Sequence, residues 1–199
     1  KLRIPGPFII MKNFFTFIFF TVVLLVIASD ATSAPSRKKY FTRPQVGLWY
    51  GPVTPVQETA EHVDANLGGG AFMRYNLPYE PLKLGFDSSY QRYESRGVDS
   101  LRLLPNYFNL LYLLPFDFPV RFQIKAGAGW CNVHLEPDNI SQWDPMFMTG
   151  MEISFPAGQT FNIALRIDYL CIYEKHLEGA ETNGYVINTG ISLYLNLNL

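Results

Sequence analysis

The last nine residues, Ile191-Ser192-Leu193-Tyr194-Leu195-Asn196-Leu197-Asn198-Leu199, place an aliphatic side chain at every second position and a polar or tyrosyl one between. Successive side chains leave opposite faces of an extended strand, whereas a helix repeats its apolar stripe at three and four residues. The stretch therefore predicts a β-strand with one apolar and one polar face.

The same period recurs upstream. In residues 119–133, Val120, Phe122, Ile124, Ala126, Ala128 and Trp130 alternate with Arg121, Gln123, Lys125, Gly127, Gly129 and Cys131. In 159–173, Phe161, Ile163, Leu165 and Ile167 oppose Asn162, Ala164, Arg166 and Asp168, and residues 63–77 keep their alternation through Gly68-Gly69-Gly70. Weaker alternation covers 45–51, 82–92 and 146–155. Residues 100–114 are apolar but irregular; Pro105 cannot donate to a ladder and predicts a bulge that shifts the parity. Eight strands result. Their connections are predicted short at 76–81, 115–119 and 156–158, and longer and polar at 52–62, 94–99, 132–142 and 174–183, the asymmetry of an up-and-down transmembrane barrel.

Composition narrows the function. The chain of 199 residues is 48% hydrophobic and 16% aromatic but only 17% charged, and its 16 Lys plus Arg nearly balance 17 Asp plus Glu. Arg37-Lys38-Lys39 is the longest basic block, so the footprint of a nucleic-acid binder is missing. Two cysteines without CxxC or Cys/His spacing do not make a disulfide scaffold or a zinc site, and no cofactor or metal is expected. Cys131 and Cys171 fall on opposite faces of non-neighbouring strands, so no disulfide is expected between them.

Ahead of the strands, Lys12 precedes a 15-residue apolar run from Phe14 to Ala28, followed by the small residues of Ser29-Asp30-Ala31-Thr32-Ser33-Ala34. This is the layout of a cleavable signal peptide, and the run is short of the ~20 residues a helical membrane anchor needs. The expected organisation is an upstream extension at 1–10, a signal peptide at 11–31 cleaved after Ala31, a periplasmic segment at 32–44 and a barrel at 45–199.

Alternation alone does not say whether the apolar face meets a core or lipid. Arg74, Lys83, Asp87, Arg121, Lys125, Glu152, Arg166 and Asp168 share the second face with many glycines. That face is too poor in charge for a water-facing wall, and both signs occur in comparable number, as buried charges that must pair require. These eight residues are predicted to line the lumen, with Arg121 or Lys125 paired to Glu152 and Arg74 or Lys83 paired to Asp87. Trp49, Tyr50, Tyr90, Trp130, Tyr169, Tyr173 and Tyr185 near the loop ends, and Tyr75, Phe116, Phe118, Phe155 and Phe161 near the turn ends, read as two interfacial girdles.

On the stretch Ile124-Lys125-Ala126-Gly127-Ala128-Gly129-Trp130, the alternating last strand and the signal peptide, the chain resembles the small eight-stranded outer-membrane β-barrels of Gram-negative bacteria, the OmpA/OmpX-like kind, over residues 45–199. Where that family usually ends on an aromatic residue, this chain has Leu199. The resemblance implies an outer-membrane location, a monomer surrounded by outer-membrane lipid and lipopolysaccharide, and a structural or surface-interaction role rather than an enzymatic one; because the chain ends inside the last strand, no periplasmic domain is expected after the barrel.

Other classes have their own residues. Gly47-Leu48-Trp49-Tyr50 matches the start of lipocalins, secreted barrels that bind small apolar ligands, although those end in a helix. His62, His134 and His176 fall in predicted loops, and His134 with Ser141 is the candidate pair for a lipid-modifying hydrolase. Acidic residues dominate the loops; Glu58, Glu61, Glu136, Asp138, Glu178 and Glu181 are the candidates for contact with an extracellular ligand. Arg92 lies by parity on the lipid face near the loop end, a candidate for a lipid head group.

Overall fold

The computed structural model describes residues 43–79, 81–94, 100–116, 119–136, 140–157, 160–173 and 183–197. The spans 1–10, 11–31 and most of 32–44, together with Asp138, Glu178 and Glu181, lie outside them. Eight strands run in chain order: β1 (Gln45–Pro55), β2 (Asn66–Asn76), β3 (Leu82–Glu94), β4 (Ser100–Leu113), β5 (Arg121–Glu136), β6 (Ile140–Pro156), β7 (Phe161–Ile172) and β8 (Gly184–Asn196). Each pairs antiparallel with the next, and β1 pairs with β8, which closes the barrel. Closure gives every strand two neighbours, so backbone groups are paired around the whole wall without an edge.

Burial inverts the order of a water-soluble domain. Leu48 is 65% exposed and Met73 60%, whereas Arg74, Lys83, Asp87, Lys125, Glu152, Arg166 and Asp168 are all buried. Apolar side chains outside and charged ones inside are what a wall surrounded by hydrocarbon requires. Among the described residues no helix is long and apolar enough to cross a membrane; the strands carry the apolar surface.

Three expectations are corrected. Pro105 introduces no parity shift: the β4–β5 register runs unbroken from Ser100↔Glu136 to Leu113↔Gln123. The pairing gap falls on the other side, where β3–β4 pairing skips from Ser88↔Asn106 to Gln91↔Leu103 in the same register. The missing N–H thus interrupts one neighbour, and the other holds the strand in place.

Residues 132–142 are not a long loop. β5 extends to Glu136 and β6 begins at Ile140, giving strands of 16 and 17 residues against the ~9–11 that cross a bilayer. The apolar alternation fades there because the outward positions Asn132, His134 and Glu136 are polar, yet cross-strand hydrogen bonding continues. Polar composition had the look of a loop; the partner strand makes it a sheet.

Trp49 belongs to no girdle. It is inward and 3% exposed, while its neighbour Tyr50 is outward. Tyr50, Tyr90, Trp130, Trp143 and Tyr173 are exposed toward the loop end, and Tyr75, Tyr79 and Phe116 toward the turn end, while Phe118 lies outside the described residues.

The β1–β2 connection carries a single helical turn, α1 (Thr59–His62), entered through Gln57 at φ 54°. Val56 N–H donates to Tyr185 O, Tyr185 N–H donates to Thr59 Oγ1 at 2.9 Å, and Asp64 N–H donates to Glu94 O. This segment is therefore tied to β8 at one end and β3 at the other.

Candidate functional site

Two places concentrate polar chemistry: the lumen and the outward face at the loop-end rim. In the lumen, strands on opposite sides of the barrel supply the partners. Arg74 on β2 forms two parallel bonds with Glu152 on β6, Nη1 to Oε1 at 2.9 Å and Nη2 to Oε2 at 2.6 Å. Arg166 on β7 donates from Nη2 to Asp87 Oδ2 on β3 at 2.8 Å and from Nε to Asp168 Oδ2 at 2.7 Å. Lys125 Nζ lies 2.6 Å from Asp168 Oδ1, and the Tyr107 hydroxyl donates to Asp87 at 3.2 Å. Bidentate and shared contacts of this kind are the condition for holding charge away from water.

The expected lumen pairs are therefore corrected. Glu152 is bound by Arg74 rather than by Arg121 or Lys125, and Asp87 by Arg166 rather than by Arg74 or Lys83. Charges near in sequence fall on the same or neighbouring strands, whereas a closed small barrel sets β2 opposite β6 and β3 opposite β7. Lys83 donates instead to Arg43 O at 3.2 Å, and Arg121 is half-buried at the start of β5.

Aromatic rings complete the shell. The Arg74 guanidinium stands 4.3 Å from the Phe72 ring centre, and that of Arg166 stands 4.9 Å from Trp49, distances at which a ring face attracts a cation. Glycine makes room for these rings. A Cβ on Gly70 would fall 2.7 Å from Trp49 Nε1, and one on Gly47 2.6 Å from Phe72 Cζ.

Toward the loop end the lumen turns mainly apolar, with Gln91 and Asp144 also buried there, the latter accepting from Gln142 Nε2 at 2.8 Å. Val53, Tyr93, Leu103, Val133, Met146, Leu170, Ile172 and Val186 are buried together, and Val63, next to α1, joins them. The sequence reading assigned apolar side chains to lipid and missed this plug. Its signal was present in the parity: Val133, Leu170 and Ile172 share the face of the charges on their own strands.

At the rim, register builds a second cluster on the outward face. Arg92 aligns with Arg102, Arg102 with His134, and His134 with Ser141, across β3 to β6. Two positions nearer the barrel middle lie Tyr90 and Trp143; two positions further out, Glu94, Ser100 and Glu136 align. Arg102 pairs with Glu136, whose other oxygen accepts from the Ser100 hydroxyl at 2.7 Å; the Ser100 bond and then the Arg102 charge hold the Glu136 carboxyl below its ordinary range. Arg92 is exposed on this face, as its parity predicts.

Of the loop acids, Glu136 ends a strand, and Glu58 and Glu61 are an exposed turn residue and an α1 residue. His134 and Ser141 do face each other in register, but the Ser141 hydroxyl bonds Asn132, and among the described residues no hydrogen bond joins it to His134, whose Nε2 stands 4.0 Å from Glu136. A nucleophile relay is not assembled.

No sequence model of a known family matches the chain, and no curated protein matches it in sequence. Solved structures do match in fold. Neisserial surface protein A superposes with a TM-score of 0.62 at 9% identity, covering 77% of this chain and 97% of that one. The N-terminal β-barrel domain of Pseudomonas aeruginosa OprF gives 0.52 at 15% identity, with 78% and 98% covered. The outer membrane protein OprG of the same organism gives 0.50 at 10% identity, with 81% and 100% covered. The fold is that of the small eight-stranded outer-membrane barrels.

Proposed function

We propose that this chain is a monomeric, non-catalytic outer-membrane protein of a Gram-negative bacterium, exported through the periplasm, which consolidates the surrounding lipid and lipopolysaccharide and presents its loop end to extracellular ligands. The observation that carries this reading is the inverted wall: exposed Leu48, Met73, Ile124 and Phe147 outside, and a paired charge network inside. The filled lumen supports a mount for the rim rather than a conduit. Ion pairs occupy one half and the apolar plug with Val63 the other, and eight strands enclose only enough space for side chains. A lipocalin-like binder would need an apolar cavity within and charge without, the reverse of this arrangement.

Cell fractionation combined with heat-modifiable gel mobility tests the reading. The expected result is an outer-membrane protein whose unboiled form migrates apart from the boiled one. Release into the soluble periplasm with mobility independent of boiling would overturn it. Lipid composition is expected to be the same in cells carrying wild type and His134→Ala; a lipid modification that vanishes with His134 would sink the non-catalytic assignment.

A further inference from the structure

We infer that Arg92, Arg102 and His134 form a docking row for a phosphate-bearing lipid head group on the outer wall at the loop-end rim. The inference rests on the membrane reading above and names one lipid chemistry that it does not specify. Three observations carry it. The residues come from three successive strands, yet the register brings them side by side on one outward face. A sequence scan sees them 10 and 32 positions apart; the sheet makes them neighbours across the wall.

The row's height matters as much as its composition. Trp143 and Tyr90, both exposed, lie two residues toward the barrel middle from this row, about 7 Å along a strand. Amphipathic rings settle at the edge of the hydrocarbon, and on its own strand Arg92 stands two residues beyond the exposed Tyr90, in the direction of the head-group phosphates. Cations in that layer are attracted to anionic lipid, and arginine adds a planar fork that matches a phosphate.

The nearest carboxylates lie on the outer side of the row. Glu94 and Glu136 sit one register row further out, with Glu136 in contact with Arg102. Glu136 orients Arg102 through their ion pair, leaving its side chain 36% exposed, and the His134 side chain is 22% exposed beside it. Arg92 stands exposed at the end of the row; it makes no direct ion pair within 4 Å among the described residues, although its charge also reaches Glu136. An arginine facing hydrocarbon is costly unless it meets a counter-charge, and a lipid phosphate is the anion that this height supplies.

The test uses the refolded protein in nanodiscs of phosphatidylcholine doped with diphosphoryl lipid A, or with lipid A stripped of its phosphates. Native mass spectrometry counts the lipid A retained. Wild type is expected to retain the phosphorylated form selectively. Arg92→Gln with Arg102→Gln should lower retention by about fivefold for each arginine removed, while the corresponding lysine variants keep most of it. Excess inorganic phosphate should leave retention unchanged, since the site takes its phosphate from the lipid layer. Equal retention by wild type and the double glutamine variant, no preference for the phosphorylated lipid, or displacement by inorganic phosphate would overturn the inference. Heat-modifiable mobility of every variant separates these results from a failure of the membrane reading, in which no variant inserts.

Discussion

Arg74 and Glu152, 78 positions apart in the chain, face each other across the lumen and share two hydrogen bonds at 2.9 and 2.6 Å. Neither side chain keeps contact with bulk water, so each is the other's replacement for solvent. Glu152→Gln leaves a buried guanidinium without its counter-charge. A loss of about 3–5 kcal/mol is expected, read as a lower urea midpoint in lipid vesicles. The exchange Arg74→Glu with Glu152→Arg should recover part of that loss; Glu152→Lys should not.

Arg166 touches both Asp87 and Asp168, whereas Lys125 touches Asp168 alone among the ion pairs of the described residues. Removing Arg166 leaves Asp87 without an ion pair among the described residues and Asp168 with Lys125 alone; removing Lys125 leaves both carboxylates bound by Arg166. Arg166→Gln should therefore lower the unfolding midpoint more than Lys125→Gln, and equal shifts would show that the two cations act independently of their partners.

The plug should block flow. Vesicles carrying the wild-type barrel are expected to hold small hydrophilic dyes, and planar bilayers should show no steady current. Tyr93→Ala combined with Met146→Ala opens the apolar half of the lumen and should raise small-ion conductance, with folding checked by heat-modifiable mobility.

Glycine at position 70 is a packing requirement. Gly70→Val would press side-chain atoms into Trp49 and the backbone of β3, which the closed wall holds in place. The variant should fold in low yield, and a normal yield would mean that Trp49 can move.

At the rim, the depressed carboxyl of Glu136 sets a pH dependence. Its contact with Ser100 and Arg102 is fully present above the ordinary glutamate value of about 4.3 and is lost as pH falls through the lower value of the folded state. A carbon-detected NMR titration of Glu136 should give a midpoint below the free-glutamate value, and Ser100→Ala should move it up.

Much of this molecule was legible in local pattern. The alternation of Ile191 to Leu195 and of Phe122 to Trp130 marked strands, and the parity of Arg74, Asp87, Lys125, Glu152, Arg166 and Asp168 put them on one face. Legibility failed at Trp49, whose amphipathic ring suits an interface or a cation equally. It failed again over 132–142, where polar residues resemble a loop whether or not a partner strand is there to bond them.

Local pattern suffices for the number of strands and for the face each charge takes, because side-chain direction in a strand depends on nothing beyond the two-residue repeat. Which side chains meet is a property of the closed barrel. Closing eight strands brings β2 against β6 and β3 against β7 across the lumen and aligns Arg92, Arg102 and His134 along the wall, relationships set by shear and register rather than by any local spacing.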